Sequence, residues 1–357
     1  MSTGGAPLWT AAELSRFLIA PDAAEGLSPM LGRGYAILDL VASAADETLA
    51  SRDALLEALP SLPCVTIAIA DEGDGPAKRA LADACDVALP DASGLDALLP
   101  GFAATPIAAL AFVQLLRGSQ ERSIHSGLVA ESFAYSTLQS GPEFKRAMAA
   151  RTVSKRPDST DEGPACRMLR DGDRLEIELS RPTVHNAFSS GMRDALVEAL
   201  QLALADPSIT AVVLRGAGPS FCSGGDLSEF GSLPDPASAH AIRTTRSPAW
   251  LVSRLAERVR CEIHGACIGA GIELPAFASR IVAREDAFFQ LPEVGLGLVP
   301  GAGGTVSLPR RIGRQRTAWL GLSGARLDAR TALAWGLVDE VRLGQHVGAQ
   351  RGIESKR

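Results

Sequence analysis

Glycine gathers at three places in the second half of this 357-residue chain, each beside a strand-like apolar run or the opening of a helix. The segments are 219–227 (PSFCSGGDL), 264–273 (HGACIGAGIE) and 290–305 (QLPEVGLGLVPGAGGT). Glycine adopts backbone conformations that other residues resist and leaves peptide N–H groups unshielded. A fold that repeats it at such junctions brings bare backbone close to something. The strand-like runs around these segments are short: 174–180, with Leu175, Ile177 and Leu179 on one face, then 210–215, 259–264 and 280–284. Helical patterns cover 189–205, 237–258 (interrupted near Ser247-Pro248) and 271–278. Short strands recurring with helices between them favour stacked strand–strand–helix turns over an open doubly wound sheet, although periodicity alone leaves both open.

The segment 152–168 (TVSKRPDSTDEGPACRM) is charged, holds two prolines and a glycine, and lacks apolar periodicity, which reads as an exposed linker. It separates an N-terminal unit, 1–151, from a C-terminal one, 169–357. In the first, strand-like runs at 35–41, 64–70 and 87–89 alternate with helical patterns at 48–59 and 76–84. From residue 106 onward the pattern is helical, over 108–117, 124–139 and 142–151. This is a small α/β unit followed by helices, with no phosphate-binding glycine loop and no acid–base cluster.

Hydrophobic residues at 46% and charged residues at 21% are globular proportions, which exclude wholesale disorder. A net charge of -6 argues against a nucleic-acid binder, which needs a basic face. The longest apolar candidate, 106–116, falls short of the roughly 18 residues of a membrane helix. The opening MSTGGAPLWTAAELSR has no basic start followed by an apolar stretch, so a cytoplasmic protein is expected. The six cysteines (Cys64, Cys85, Cys166, Cys222, Cys261 and Cys267) include no C-x2-C pair and are expected to be reduced, mostly buried thiols. With only five histidines, no metal site is expected.

Chemistry concentrates in the glycine-rich segments. HGACIGAG departs from the G-x-G-x-x-G dinucleotide form, but a glycine-rich helix entry still exposes N–H groups that suit negative charge. Glu293 stands alone in an apolar stretch, where a carboxyl group must be paired, exposed or raised in pKa toward proton transfer.

Taken in order, these segments together with 181–188 (RPTVHNAF) and 332–341 (ALAWGLVDEV) resemble the crotonase superfamily, the enoyl-CoA hydratase/isomerase group. The resemblance runs over about 167–341, half of the chain. It implies an α/β fold, a crotonase-like spiral of ββα turns preceded by the smaller α/β unit and helices, assembled as homo-oligomers (trimers or pairs of trimers). The implied substrate is an acyl thioester carried by coenzyme A, with no separate cofactor, nucleic acid or membrane. A thioester enolate would be held by two peptide N–H groups, which fall on Gly225 and on Ala270, where the family commonly has glycine. Val184, Ser223, Gly224, Asp226 and Leu227 would line the CoA path. Hydratases of the family resemble one another in carrying two glutamates, and here Glu273 and Glu293 stand 293 − 273 = 20 residues apart as they do. Glu273 is then expected to activate water and Glu293 to donate a proton to the α-carbon. The implied enzyme is an enoyl-CoA hydratase. The alternatives are an isomerase, an acyl-CoA C–C hydrolase, or a catalytically silent scaffold subunit. Asp226 is expected to order the donor loop, His264 to be structural, and the loop 230–248 to shape the acyl pocket.

The chain departs from the family after GLVDEV, where relatives continue with covering helices and this sequence continues with a polar tail, 342–357. The segment 127–151, with Leu128, Phe133, Leu138 and Phe144 as an apolar face, is expected to cover the pocket instead, as in a permuted chain. The rival expectation is an independent N-terminal module for partner binding, with the pocket covered by another subunit.

Overall fold

The computed structural model describes residues 7–71, 73–150, 163–230 and 235–343. In the N-terminal part, β1 (Leu8–Trp9), β2 (Tyr35–Asp39), β3 (Val65–Ile69) and β4 (Val87–Leu89) form one parallel sheet in sequence order. Parallel neighbours require crossovers, and α1 (Ala11–Phe17), α2 (Ala23–Leu27), α3 (Ala45–Ala58) and α4 (Pro76–Ala84) supply them. The two-residue strand period sorts the faces. Ala36, Leu38 and Ala68 pack with Leu14, Leu55 and Leu81 of these helices, whereas Ile37, Val65, Ile67 and Val87 look the other way. Onto that second face come α5 (Gly94–Phe102) and α6 (Pro106–Arg117), followed by α7 (Ile124–Gln139) and α8 (Pro142–Ala150). The apolar period predicts α6 to α8; α5 escapes it, being short and holding Pro100 within.

In the C-terminal part a six-stranded sheet runs in the order β13–β10–β8–β7–β6–β5. Its strands are β5 (Cys166–Asp171), β6 (Arg174–Leu179), β7 (Ala211–Gly216), β8 (Val259–Ile263), β10 (Arg280–Arg284) and β13 (Glu340–Arg342). All pairs are parallel except the β5–β6 hairpin. A smaller sheet holds β9 (Ala266–Ile268), β11 (Phe288–Gln290) and β12 (Leu327–Asp328). Backbone bridges Cys222–Cys267 and Phe188–Gly225 extend this smaller layer. Helices α9 (Ser190–Ala205), α10 (Pro236–Thr245), α11 (Pro248–Arg254), α12 (Ala270–Glu273), α13 (Gly304–Ile312), α14 (Arg314–Ser323) and α15 (Ala329–Trp335) complete the turns. Each turn gives one strand to each layer and then a helix, as β8, β9 and α12 do, and again β10, β11 and α13. This is the ββα spiral that the resemblance implies.

The sequence boundary at 152–168 needs correction. Residues 152–162 lie outside the described ones, but Cys166–Met168 belong to β5, paired residue by residue with β6. Only Cys166 of that edge strand is buried, so its remaining residues are free to be polar and the period that marks a half-buried strand is missing. The polar tail from 344 onward also lies outside the described residues.

The two parts share a core. Ile67, Val87, Leu98, Phe102 and Phe112 pack in one cluster with Val294, Leu298, Val299, Ala318 and Leu322, so the chain just beyond Glu293 is buried against the N-terminal unit. Burying each of the larger side chains among them contributes about 1.5–3 kcal/mol. Polar contacts join the same surfaces: Arg314 pairs with the buried Asp86 at 3.3 Å, and Gln315 Nε2 donates to the Ala82 carbonyl at 2.7 Å.

Candidate active site

Register in the smaller layer gathers the glycine-rich segments. Cys222 is bridged to Cys267 in parallel, so the residues three steps beyond each, Gly225 and Ala270, leave the layer together. Ile268 is opposite Gln290, and Glu293 follows Gln290 by three residues, at the same edge. Glu273 lies one turn into α12. Gly225, Ala270, Glu273 and Glu293 line a single cleft with Tyr135, Phe188, Arg193, Arg243 and Ala302.

The Gly225 loop is held from the side by the segment before Phe188. There His185 and Asn186 adopt left-handed conformations (φ 55° and 51°), which the buried Asn186 side chain secures by donating to the Ala217 and Ser220 carbonyls and accepting from Arg181 N–H. Phe188 then donates to the Gly224 carbonyl and accepts from Asp226 N–H, so the Gly225 N–H points away from this pairing. Among the described residues, neither the Gly225 nor the Ala270 N–H has an acceptor.

Three buried carboxyl groups stand around the loop that opens α13. Glu273 Oε2 accepts from the N–H groups of Ala302 (2.7 Å) and Gly304 (2.9 Å). Glu131, from α7, accepts at Oε1 from Gly303 N–H (2.7 Å) and at Oε2 from Thr305 N–H (2.8 Å) and Oγ1 (2.7 Å). The four successive amides, which a helix start leaves without internal acceptors, thus alternate between two acids. Gly304 is needed there, since a Cβ would stand 2.8 Å from Glu273 Cγ. Gly269, with φ 51°, serves Glu293 likewise: a Cβ would strike Glu293 Oε1. Glu293 Oε2 is buried without a hydrogen-bond partner among the described residues.

Burial raises all three carboxyls. It lifts Glu273 to about 7 against the two amides, which pull it down. Glu131 rises to about 8, through burial first and then the neighbouring Glu273, while its three donors oppose the rise. Glu293 is pushed well above the usual carboxylate range by burial, then by Glu273 and Glu131, and it lacks a comparable set of donors. Of the two acids that line the cleft, Glu293 is therefore the one that keeps its proton at neutral pH.

Val184, Ser223, Gly224, Asp226 and Leu227 lie along the two segments flanking Gly225, and none of them lines the cleft. Asp226 Oδ1 accepts from Ser228 N–H (3.0 Å) and Oγ (2.7 Å), closing the turn after Gly225. His264 Nε2 bonds the Gly218 carbonyl at 2.8 Å, outside the cleft. Of the 230–248 loop, 231–234 lie outside the described residues and most of the rest forms α10. The apolar face of 127–151 needs one correction. Leu138 and Phe144 are buried and Leu128 packs on the spiral core, but Phe133 is 57% exposed and stacks on His240. All six cysteines are buried and unbridged, and burial pushes the Cys222 thiol to about 12. Among the described residues no three His, Cys, Asp or Glu side chains are grouped to hold a metal ion.

Glu131 is the residue that motif reading passes over. It lies 273 − 131 = 142 residues before Glu273, outside every glycine-rich segment. The available signal was a lone acid in GLVAESFAYS, the same kind of signal that marked Glu293.

The sequence model of the enoyl-CoA hydratase/isomerase family matches residues 174–349. Over 184 residues the chain is 34% identical to YhaR of Bacillus subtilis (strain 168), whose name places it in that family, covering 51% of this chain and 72% of that one. To the mevalonyl-coenzyme A hydratase SIDH of Beauveria bassiana (strain ARSEF 2860) it is 34% identical, over 47% of this chain and 62% of the relative. The chain thus spans less than two thirds of that relative's length. The solved enoyl-CoA hydratase from Thermoplasma volcanium GSS1 is 35% identical, with 50% of this chain and 72% of that one covered at a TM-score of 0.47. This chain belongs to the crotonase superfamily, the enoyl-CoA hydratase/isomerase family.

Proposed function

We propose that the protein adds water across the 2,3 double bond of an enoyl-CoA thioester. One observation carries the reading: a single cleft combines two peptide N–H groups without acceptors, an anchored carboxylate and a buried carboxyl oxygen without a partner. Glu273, fixed through Oε2, has Oε1 to take a proton from water. The water oxygen bonds to C3, the π electrons shift toward C1, and the thioester oxygen becomes an enolate bonded by the amides of Gly225 and Ala270. C2 then takes the proton of Glu293, giving the 3-hydroxyacyl thioester. Glu273 ends protonated and Glu293 ionised, and one proton passed between them resets the site. Fixed donors favour the oxyanion over the ground-state carbonyl, and each is worth about 10²–10³ in rate. Two acids sharing a dry site resist double ionisation, which maintains one of each form. In this reading the CoA portion runs along Val184, Ser223, Gly224, Asp226 and Leu227, beside the donor loop.

The test is to offer 2-enoyl-CoA thioesters of several chain lengths and follow the loss of the conjugated chromophore. Glu273→Gln and Glu293→Gln are each expected to lower kcat by about 10²–10⁴. Product formation untouched by either change overturns the assignment. Conversion of a 3-enoyl thioester to its 2-enoyl isomer, with no hydration, puts an isomerase in its place.

A further inference from the structure

A second cleft adjoins the first and shares with it Phe188, Arg193, Arg243, Gly301 and Ala302. Its walls are largely apolar, with Leu128, Val129, Pro248, Ala249, Trp250 and Leu274 among them. At the junction of the two clefts lies Arg243, from α10. Its guanidinium lies over the Tyr135 ring, 4.4 Å from the centroid. Nε donates to Ser132 Oγ at 3.2 Å, and Nη2 donates to Ser136 Oγ. Neither acceptor is charged. Among the described residues no carboxylate lies within ion-pair distance of Arg243, and its Nη1 donates to nothing. The neighbouring cations differ: Arg193 and Arg246 both pair with Asp194, at 3.0 and 2.6 Å. The nearby Glu131 and Glu273 already accept from the 302–305 amides.

Glu131, which also lines the second cleft, acts on Arg243 only beyond ion-pair distance. A largely buried cation with no carboxylate in contact is costly, and two serines and a ring face that fix its plane leave one edge of the fork free. We infer that Arg243 receives an anionic group at the far end of the acyl chain, so that the preferred substrates are ω-carboxyacyl thioesters whose methylenes lie along the apolar walls. This rests on the hydratase reading for the thioester end alone. A CoA phosphate offers the same chemistry to a guanidinium, so the experiment compares ligands that share the CoA arm.

Binding of saturated acyl-CoA thioesters, matched in length and ending in either a carboxylate or a methyl group, is measured by calorimetry on the full-length protein. The wild type is expected to bind the carboxylate member roughly 10- to 100-fold tighter, the span of a charge-assisted pair. Arg243→Gln should bring that ratio close to one, and Arg243→Lys should keep part of it, since the charge remains and the fork is lost. A wild-type ratio of one or less at every length overturns the inference, as does a ratio that survives Arg243→Gln. So does failure of both members to bind. Should the variants fail to fold, the wild-type ratio decides alone. Turnover of the matching 2-enoyl thioesters is read separately: Arg243-dependent binding without hydration removes the hydratase reading and leaves the anion pocket standing.

Discussion

Protonation at Glu273 and Glu293 sets the working pH of the proposed reaction. Glu273 must be ionised, so with a pKa near 7 its active fraction falls about tenfold per pH unit below that value. Glu293 must hold its proton, so activity falls again once the pH passes its raised value. A bell-shaped kcat/KM profile is expected, its limbs belonging to the coupled pair rather than to either residue. Glu131 enters through charge, because it helps raise Glu293. Glu131→Gln removes that charge, which lets Glu293 lose its proton sooner and moves the alkaline limb to lower pH. The same change replaces one of the two oxygens that accept from the amides of Gly303 and Thr305 with an NH2 group, and a slackened loop is expected to cost up to about 10² in kcat. A profile whose alkaline limb stays in place in Glu131→Gln counts against this role. At this scale the motif residues were legible because a few local residues specify each turn. Glu131 was not, because its partners are distant in the chain and only folding brings them near.

Helix α7 shows why amphipathic reading finds an element and misplaces its face. Its span is readable from the apolar period, yet the side it buries holds Gly127, Glu131, Ser132 and Ser136 beside Leu138. Polar groups go inward there because they meet partners: amides for Glu131, and Arg243 for the two serines. Phe133 is correspondingly left outside. Hydrophobicity describes burial against apolar surface, and this helix covers a polar site. Strand β10, fully apolar at its centre and packed on both sides, is the opposite case and was legible in full. The junction of β9 and α12 carries its own prediction. Gly269→Ala places a side chain at φ 51° and against Glu293, and is expected to cost about 1–3 kcal/mol in urea unfolding together with most of the activity. Normal stability and turnover in that variant would mean that the junction is looser than drawn.

For the whole molecule, the two units that the linker pattern suggests are not independent, because Phe112 and Leu98 share a core with Val294, Leu298 and Ala318. A composition break marks where the chain is exposed, and exposure of a connection says nothing about the surfaces on either side of it. Removal of residues 1–151 would uncover that core and take Glu131 away from the α13 amides. The remaining fragment is expected to be insoluble or inactive when expressed alone, as judged by circular dichroism and turnover. A folded, fully active fragment would revive the independent-module view.

The interleaving of four consecutive amides between Glu131 and Glu273 has a consequence for how competence is acquired. One acid belongs to each half of the polypeptide, so Glu273, the proposed water-activating group, reaches its posture only when both halves have met. Turnover therefore reports on assembly: whatever loosens α7 from its seat should dim catalysis while the spiral itself is still intact.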